Sequence, residues 1–153
     1  MWFSKKQAGK VPCQGAPDND SVATKQVTTK SRGDAAELAA LGCLVDAGLK
    51  WVASNYRTPG RGGGEIDLIM RAPDGTLVFV EVRQRASASY GGAAASISGV
   101  KQQRIIYAAR HYLMRFASPP PCRFDVVLVH GTLSCDQSPA PKIEWLTAAF
   151  DAS

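Results

Sequence analysis

Asp67 and Glu81 are two carboxylates whose spacing could do chemistry. Asp67 interrupts the apolar run Ile66-Asp-Leu-Ile-Met70, Glu81 interrupts Leu77-Val-Phe-Val-Glu-Val82, and Pro73-Asp74-Gly75 lies between the runs. Both runs have the aliphatic composition of strands and the connection has turn chemistry, so the pair reads as a hairpin. With the turn centred on Asp74, opposed residues have numbers that sum to 148, and Asp67 faces Glu81. Opposed side chains have Cβ atoms roughly 4.5 to 5.5 Å apart, and two like charges there are unfavourable unless a cation stands between them. A turn centred half a residue later pairs Asp67 with Val82 and puts the carboxylates on opposite faces. Apolar residues on both faces of both runs leave the two registers open.

Arg83, two residues beyond Glu81, projects from the same side of its strand and completes a cluster of two carboxylates and one guanidinium. Hard oxygen ligands of this kind suit Mg²⁺ or Mn²⁺, which activates water and neutralises charge on a phosphodiester. On spacing alone, charges flanking a hairpin account for the same residues equally well. Lys101 and Arg104 near a helix start could grip a backbone phosphate, because free N–H groups at a helix N-terminus also favour anions. Arg57 and Arg61 bracket a glycine-rich loop, Thr58 to Gly64, and are further candidates for nucleic-acid contact. Arg110, His111 and Arg115 read as a solvated helix face, and Glu65 as a residue that orders the loop before its strand. Asp125 and His130 sit in an apolar run; either could act as a base, but a single histidine at a strand end is more often simply hydrogen-bonded.

The elements that must position these side chains follow from pattern. Residues 1–30 mix Lys, Gln, Thr, Gly, Pro and Asp with isolated apolar residues and read as a disordered basic tail. Five lysines against Asp18 and Asp20 give that tail +3 of the net +5, so the domain read over residues 31–150 is only weakly basic. Ser31 to Asp34 offer capping side chains for a helix that Gly48 stops, with Leu38, Leu41, Leu44 and Val45 as its apolar face and Glu37 bordering it. A strand at Trp51–Arg57 and the hairpin follow. The small-residue stretch 86–99 reads as a mobile loop, with a helix opening near Ser98 whose stripe is Ile105, Ala109, Tyr112 and Phe116. Arg123 to His130 is an interior strand, and Ile143 begins a short closing segment that ends near Phe150.

Other classes fit poorly. No apolar run approaches the roughly 18 residues of a membrane span, and Met1-Trp-Phe-Ser-Lys-Lys lacks a secretory core, so a soluble cytoplasmic protein is expected. Cys13, Cys43, Cys122 and Cys135 form no C-x-x-C pair and lie far from His111 and His130, which argues against zinc.

Gly33-x-x-x-Glu37, Asn55-x-Arg57, Gly64-Glu-Ile-Asp-Leu-Ile69, Phe79-Val-Glu-Val-Arg-Gln-Arg85, Lys101-x-x-Arg104 and Arg123-Phe-Asp-Val126 together resemble the YraN family of small bacterial proteins, over residues 31–150. That family is similar to the restriction-endonuclease-like superfamily, and in its core to Holliday-junction resolvases, whose signature is an acid followed after a turn by Glu-x-Lys. The resemblance implies a three-layer α/β/α fold with a mixed sheet. It implies Asp67, Glu81 and Arg83 as catalytic residues, and Glu37, Asp67 and Glu81 as ligands of Mg²⁺ or Mn²⁺. It also implies DNA as partner and, by analogy with resolvases, a homodimer. Arg83 stands where the signature has lysine; a guanidinium keeps the charge but differs in bulk and reach. The functions in view are a metal-dependent endonuclease on branched or flapped DNA, a nucleic-acid-binding module on a nuclease scaffold that cuts nothing, and an interaction protein with an incidental acidic cluster.

Overall fold

The computed structural model describes residues 29–85, 97–131 and 141–152. Residues 1–28 of the expected N-terminal tail and most of the small-residue loop lie outside them, and Thr29 and Lys30, also expected in the tail, begin a helix. The described elements are α1 (Thr29–Asp46), β1 (Lys50–Arg57), β2 (Glu65–Arg71), β3 (Leu77–Arg85), α2 (Gly99–Leu113), β4 (Cys122–His130) and β5 (Lys142–Phe150). The strands form one sheet in chain order. β1, β2 and β3 are an antiparallel meander, β4 runs parallel to β3 after the α2 crossover, and β5 returns antiparallel to β4. One helix covers each face, giving the three-layer α/β architecture with a mixed sheet that the sequence led us to expect.

The helix ends follow local chemistry. Gly48 at φ +100° closes α1: its N–H donates to Val45 O at 2.9 Å and the Leu49 N–H to Leu44 O at 3.0 Å. Leu44 and Leu49 then pack in one cluster, as this type of cap favours. α2 opens on Ser98, whose hydroxyl accepts from the Lys101 N–H at 3.2 Å.

Two expectations for α1 need correction. The helix begins at Thr29, so Ser31 to Asp34 lie inside its first turns rather than capping it. Its buried stripe is Ala36, Ala40 and Leu44, while Leu38 and Val45 point outward at 68% and 48% exposure. Alanines at this spacing let the helix lie close against Leu68, Met70, Val78, Val80, Val127 and Val129, and the larger side chains are displaced to the flanks. On the opposite face, Ile105, Ala109 and Tyr112 of α2 pack on Ile69, Leu77, Phe79 and Phe124 as their periodicity predicts.

Gly64 fixes how closely α2 approaches. A Cβ there would overlap the Arg104 carbonyl oxygen and press on Ala108, so the loop before β2 meets the helix backbone directly. Gly64→Ala should therefore cost about 1–3 kcal/mol, read as a lower urea midpoint at unchanged m-value, and should push away the helix turn that carries Lys101.

Candidate functional site

The hairpin register is the one centred on Asp74. Leu68 pairs with Val80, Ile69 with Phe79, Met70 with Val78 and Arg71 with Leu77. The turn is closed by Gly75 N–H to Ala72 O and Ala72 N–H to Thr76 O, both 2.9 Å, with Gly75 at φ +91°. Asp74 Oδ1 also accepts the Thr76 N–H at 2.9 Å, a bond that holds the Asp74 carboxyl below its usual range. The ladder stops at Leu68 and Val80. One step further on, Asp67 turns its carboxylate into the gap, and Oδ2 accepts the Val82 N–H at 2.9 Å. The strand also stops alternating here, since Ile66 and Ile69 both pack toward α2 while Leu68 and Met70 pack toward α1.

Glu81 is buried, with its side chain 6% exposed. Burial and, next, the neighbouring Asp67 charge push its carboxyl up to about 8, against the opposing pull of Lys101 and Arg83. Its two oxygens differ. Oε1 faces cations, with Lys101 Nζ at 3.4 Å and Arg83 Nε at 3.9 Å, whereas Oε2 is buried without a hydrogen-bonding partner. Two hard oxygens from adjacent strands, one of them an orphan, are a donor set that fits a divalent cation such as Mg²⁺ or Mn²⁺.

Glu37 stands on the other side of Asp67. Burial first, and then the Asp67 charge, raise its carboxyl, while a 3.2 Å hydrogen bond from Asn55 Nδ2 to Oε2 works the other way. Glu37 lines an open cleft with Lys30, Gly33, Asp34, Asn55, Arg57 and Glu65. Among the described residues no three His, Cys, Asp or Glu side chains close into a metal shell by themselves. The pair in contact is Asp67 and Glu81, and Glu37 is coupled to it through charge.

Three of the four expected nucleic-acid contacts have partners within the chain. Arg57 Nη2 binds Glu65 Oε1 at 3.1 Å beside the cleft, which gives Glu65 the ordering role read for it. Arg104 donates through Nε and Nη2 to Gly63 O at 3.3 and 3.2 Å, pinning the glycine-rich loop to α2. Lys101 turns inward to Glu81, while Arg61 stays exposed on its loop. The face read as solvated is also engaged: His111 Nδ1 meets the Tyr56 hydroxyl at 2.5 Å, Arg110 reaches Ala152 O at 3.2 Å, and the Arg115 guanidinium lies 3.8 Å from the Tyr112 ring centre.

Asp125 and His130 lie elsewhere. Asp125 is fully buried and takes Arg123 Nε at 3.1 Å, Trp145 Nε1 at 2.9 Å and the Ala148 N–H at 3.0 Å, so its bonds hold β5 to β4. His130 Nε2 lies 3.3 Å from Glu144 Oε2 at the strand end.

Sequence reasoning gave Asn55 no role of its own. It sits at φ +51°, a conformation Asn tolerates better than most residues, and continuing the β1–β2 register places it opposite Asp67. Its place beside Arg57 in the motif was the available signal.

The model of Uncharacterised protein family UPF0102 matches residues 36–129. A UPF0102 protein of Polaromonas naphthalenivorans (strain CJ2) is 73% identical over the whole of both chains, and one of Polaromonas sp. (strain JS666 / ATCC BAA-500) is 71% identical over the same span. A third, from Albidiferax ferrireducens, is 66% identical over 86% of this chain and 95% of its own. The match from α1 to β4, as far as Val129, together with relatives above 70% identity over the whole of both chains, makes this chain a member of the UPF0102 family, the YraN family.

Proposed function

We propose that the protein is a cytoplasmic nucleic-acid-binding protein with a restriction-endonuclease-like core, and that it hydrolyses DNA phosphodiesters with Mg²⁺ or Mn²⁺ held by Asp67 and Glu81. The observation that carries this reading is the buried, unpartnered Oε2 of Glu81 beside Asp67. A buried carboxylate oxygen without a partner is costly to leave charged, and a divalent cation is a ligand that offsets the cost. Mg²⁺ commonly takes one or two carboxylates and fills its remaining positions with water and substrate phosphate, so two protein oxygens suffice. Glu37, coupled to Asp67 by charge, would be the third ligand.

When bound, the cation supplies charge neutralisation at the reacting phosphate and an activated water. The chain's own residues do the rest. The Val82 N–H fixes one Asp67 oxygen and leaves the other directed at the site. Lys101 pairs with Glu81 Oε1, with the Arg83 charge further off, which leaves Oε2 to the metal. Arg57, Arg61 and Arg104 would track the backbone of the bound strand, with branched or flapped DNA as the substrate suggested by similarity to resolvases.

The test uses the full chain with Mg²⁺ or Mn²⁺ on duplex, single-stranded, flapped and four-way-junction DNA. Cleavage that disappears with EDTA is the expected result. Salt-dependent binding without cleavage points to a binding module on a nuclease scaffold, and no binding even at low salt overturns the nucleic-acid reading.

A further inference from the structure

We propose that Lys101, from the first turn of α2, supplies the ammonium of this site in place of the signature lysine whose strand position is held by Arg83. The inference rests on the metal-site reading above. It assigns to Lys101 a role at the reacting phosphate rather than a grip on a distant backbone phosphate.

Three observations carry it. Lys101 Nζ is 3.4 Å from Glu81 Oε1, closer than Arg83 Nε at 3.9 Å, although Lys101 is twenty residues away in sequence and Arg83 only two. Arg83 Nε is buried and has no hydrogen-bond partner, so the guanidinium approaches Glu81 without binding it in the way a replacement for the lysine would. Lys101 is also anchored from behind, because its N–H donates to the Ser98 cap and the next turn is pinned by Arg104 to Gly63 O. Its side chain is 32% exposed, so the ammonium borders both the buried carboxylate and solvent, where a phosphate would arrive.

In the reaction, a water oxygen bonds to phosphorus and the electron pair of the P–O bond leaves with the departing oxygen. One water proton passes to solvent, and the departing oxygen takes a proton from solvent. Lys101 keeps its protons throughout and donates a hydrogen bond to a non-bridging oxygen as its negative charge grows. A compact ammonium with rotatable donors suits that task, and an arginine fork anchored two residues from Glu81 does not.

The experiment compares wild type with Lys101→Met, Arg83→Lys and the double variant; Lys101→Gln serves as a second form should Met perturb folding, checked by circular dichroism. Lys101→Met should lower metal-dependent cleavage by about 100-fold or more. DNA affinity in EDTA should fall by no more than about threefold, because the bond to the phosphate strengthens only as charge grows in the reaction. Adding Arg83→Lys should recover at least about tenfold of the lost rate, since it returns an ammonium to the same carboxylate. Mg²⁺ titrated calorimetrically at pH 8.5 should bind Lys101→Met several-fold more tightly, because a competing positive charge is gone.

Cleavage retained within about threefold, or a salt slope reduced by about 0.9 with cleavage lost in step, marks Lys101 as an ordinary phosphate contact and overturns the inference. Should wild type bind Mg²⁺ and cut nothing, the nuclease reading and the role at a reacting phosphate fail together, and the Mg²⁺ titration decides the placement: tighter binding by Lys101→Met keeps Lys101 as the ammonium of the metal site and equal binding removes it. Wild type that neither binds Mg²⁺ nor cuts overturns both.

Discussion

Glu81→Gln should lower metal-dependent cleavage by on the order of 10³-fold and, in the same protein, raise the stability of the metal-free fold in alkaline solution. The native Glu81 carboxyl is moved from 4.5 to about 8 by burial and by Asp67. Between those values the unfolded chain has released this proton and the native chain keeps it. Stability therefore falls as pH rises from 4.5 and levels off once pH passes about 8. The whole loss amounts to at most about 5 kcal/mol. Glutamine approximates the protonated side chain: its carbonyl can accept from Lys101 and its amide can donate to Asp67. The variant should match wild type near pH 4.5 and exceed it by several kcal/mol at pH 8.5, seen as a melting temperature higher by on the order of 10 °C. Saturating Mg²⁺ should close that gap by stabilising wild type alone. A wild-type melting temperature that is flat from pH 5 to 9 contradicts the two-carboxylate picture.

Asp125→Ala should cost about 3–5 kcal/mol while leaving cleavage per folded molecule unchanged. The substitution strips a fully buried carboxylate from Arg123, Trp145 and the Ala148 N–H. It leaves a guanidinium without its counter-charge and two neutral donors unsatisfied. Asp125→Asn keeps the volume and one acceptor but turns an amide donor toward another donor, so its cost should be smaller and still measurable, about 1–3 kcal/mol. Urea unfolding at pH 7 followed by tryptophan fluorescence reports both, since Trp145 is one of the partners. Cleavage lost without a loss of stability would instead put Asp125 in the active machinery.

The contrast between these two acids shows what the sequence could carry. The hairpin was legible because Pro73-Asp74-Gly75 admits few closures, and the observed pairs Leu68 to Val80 and Met70 to Val78 follow the register centred on Asp74. The α2 stripe was legible because Ile105 and Tyr112, large apolar residues at helical spacing, frame Ala109. The α1 face was legible only at Leu44, because the other two buried residues are alanines, which a reading by hydrophobicity ranks below the leucine and valine that end up outside. The destination of Lys101 was hidden for a different reason. It depends on where the crossover sets α2 down over β3, and the Gly64 contact that fixes this lies 37 residues earlier in the chain. Asp125 is bonded by residues on a strand that begins at Lys142, and nothing near Asp125 in sequence announces them.

Both margins of the sheet carry the same kind of irregularity. β1 shifts register between Trp51 and Ala53 and bears Asn55 at φ +51°, while the β4–β5 pairing shifts between Phe124 and Val126 and β5 bears Ala148 at φ +49°. These are the left-handed non-glycine residues among those described, one on each outermost strand. A strand from a second molecule that tried to extend either margin would find the row of free N–H and C=O groups bent out of line within a few residues. The same Asn55 that steadies Glu37 thus also guards one margin against edge-to-edge aggregation, and a substitution that flattened it would threaten solubility as well as the site.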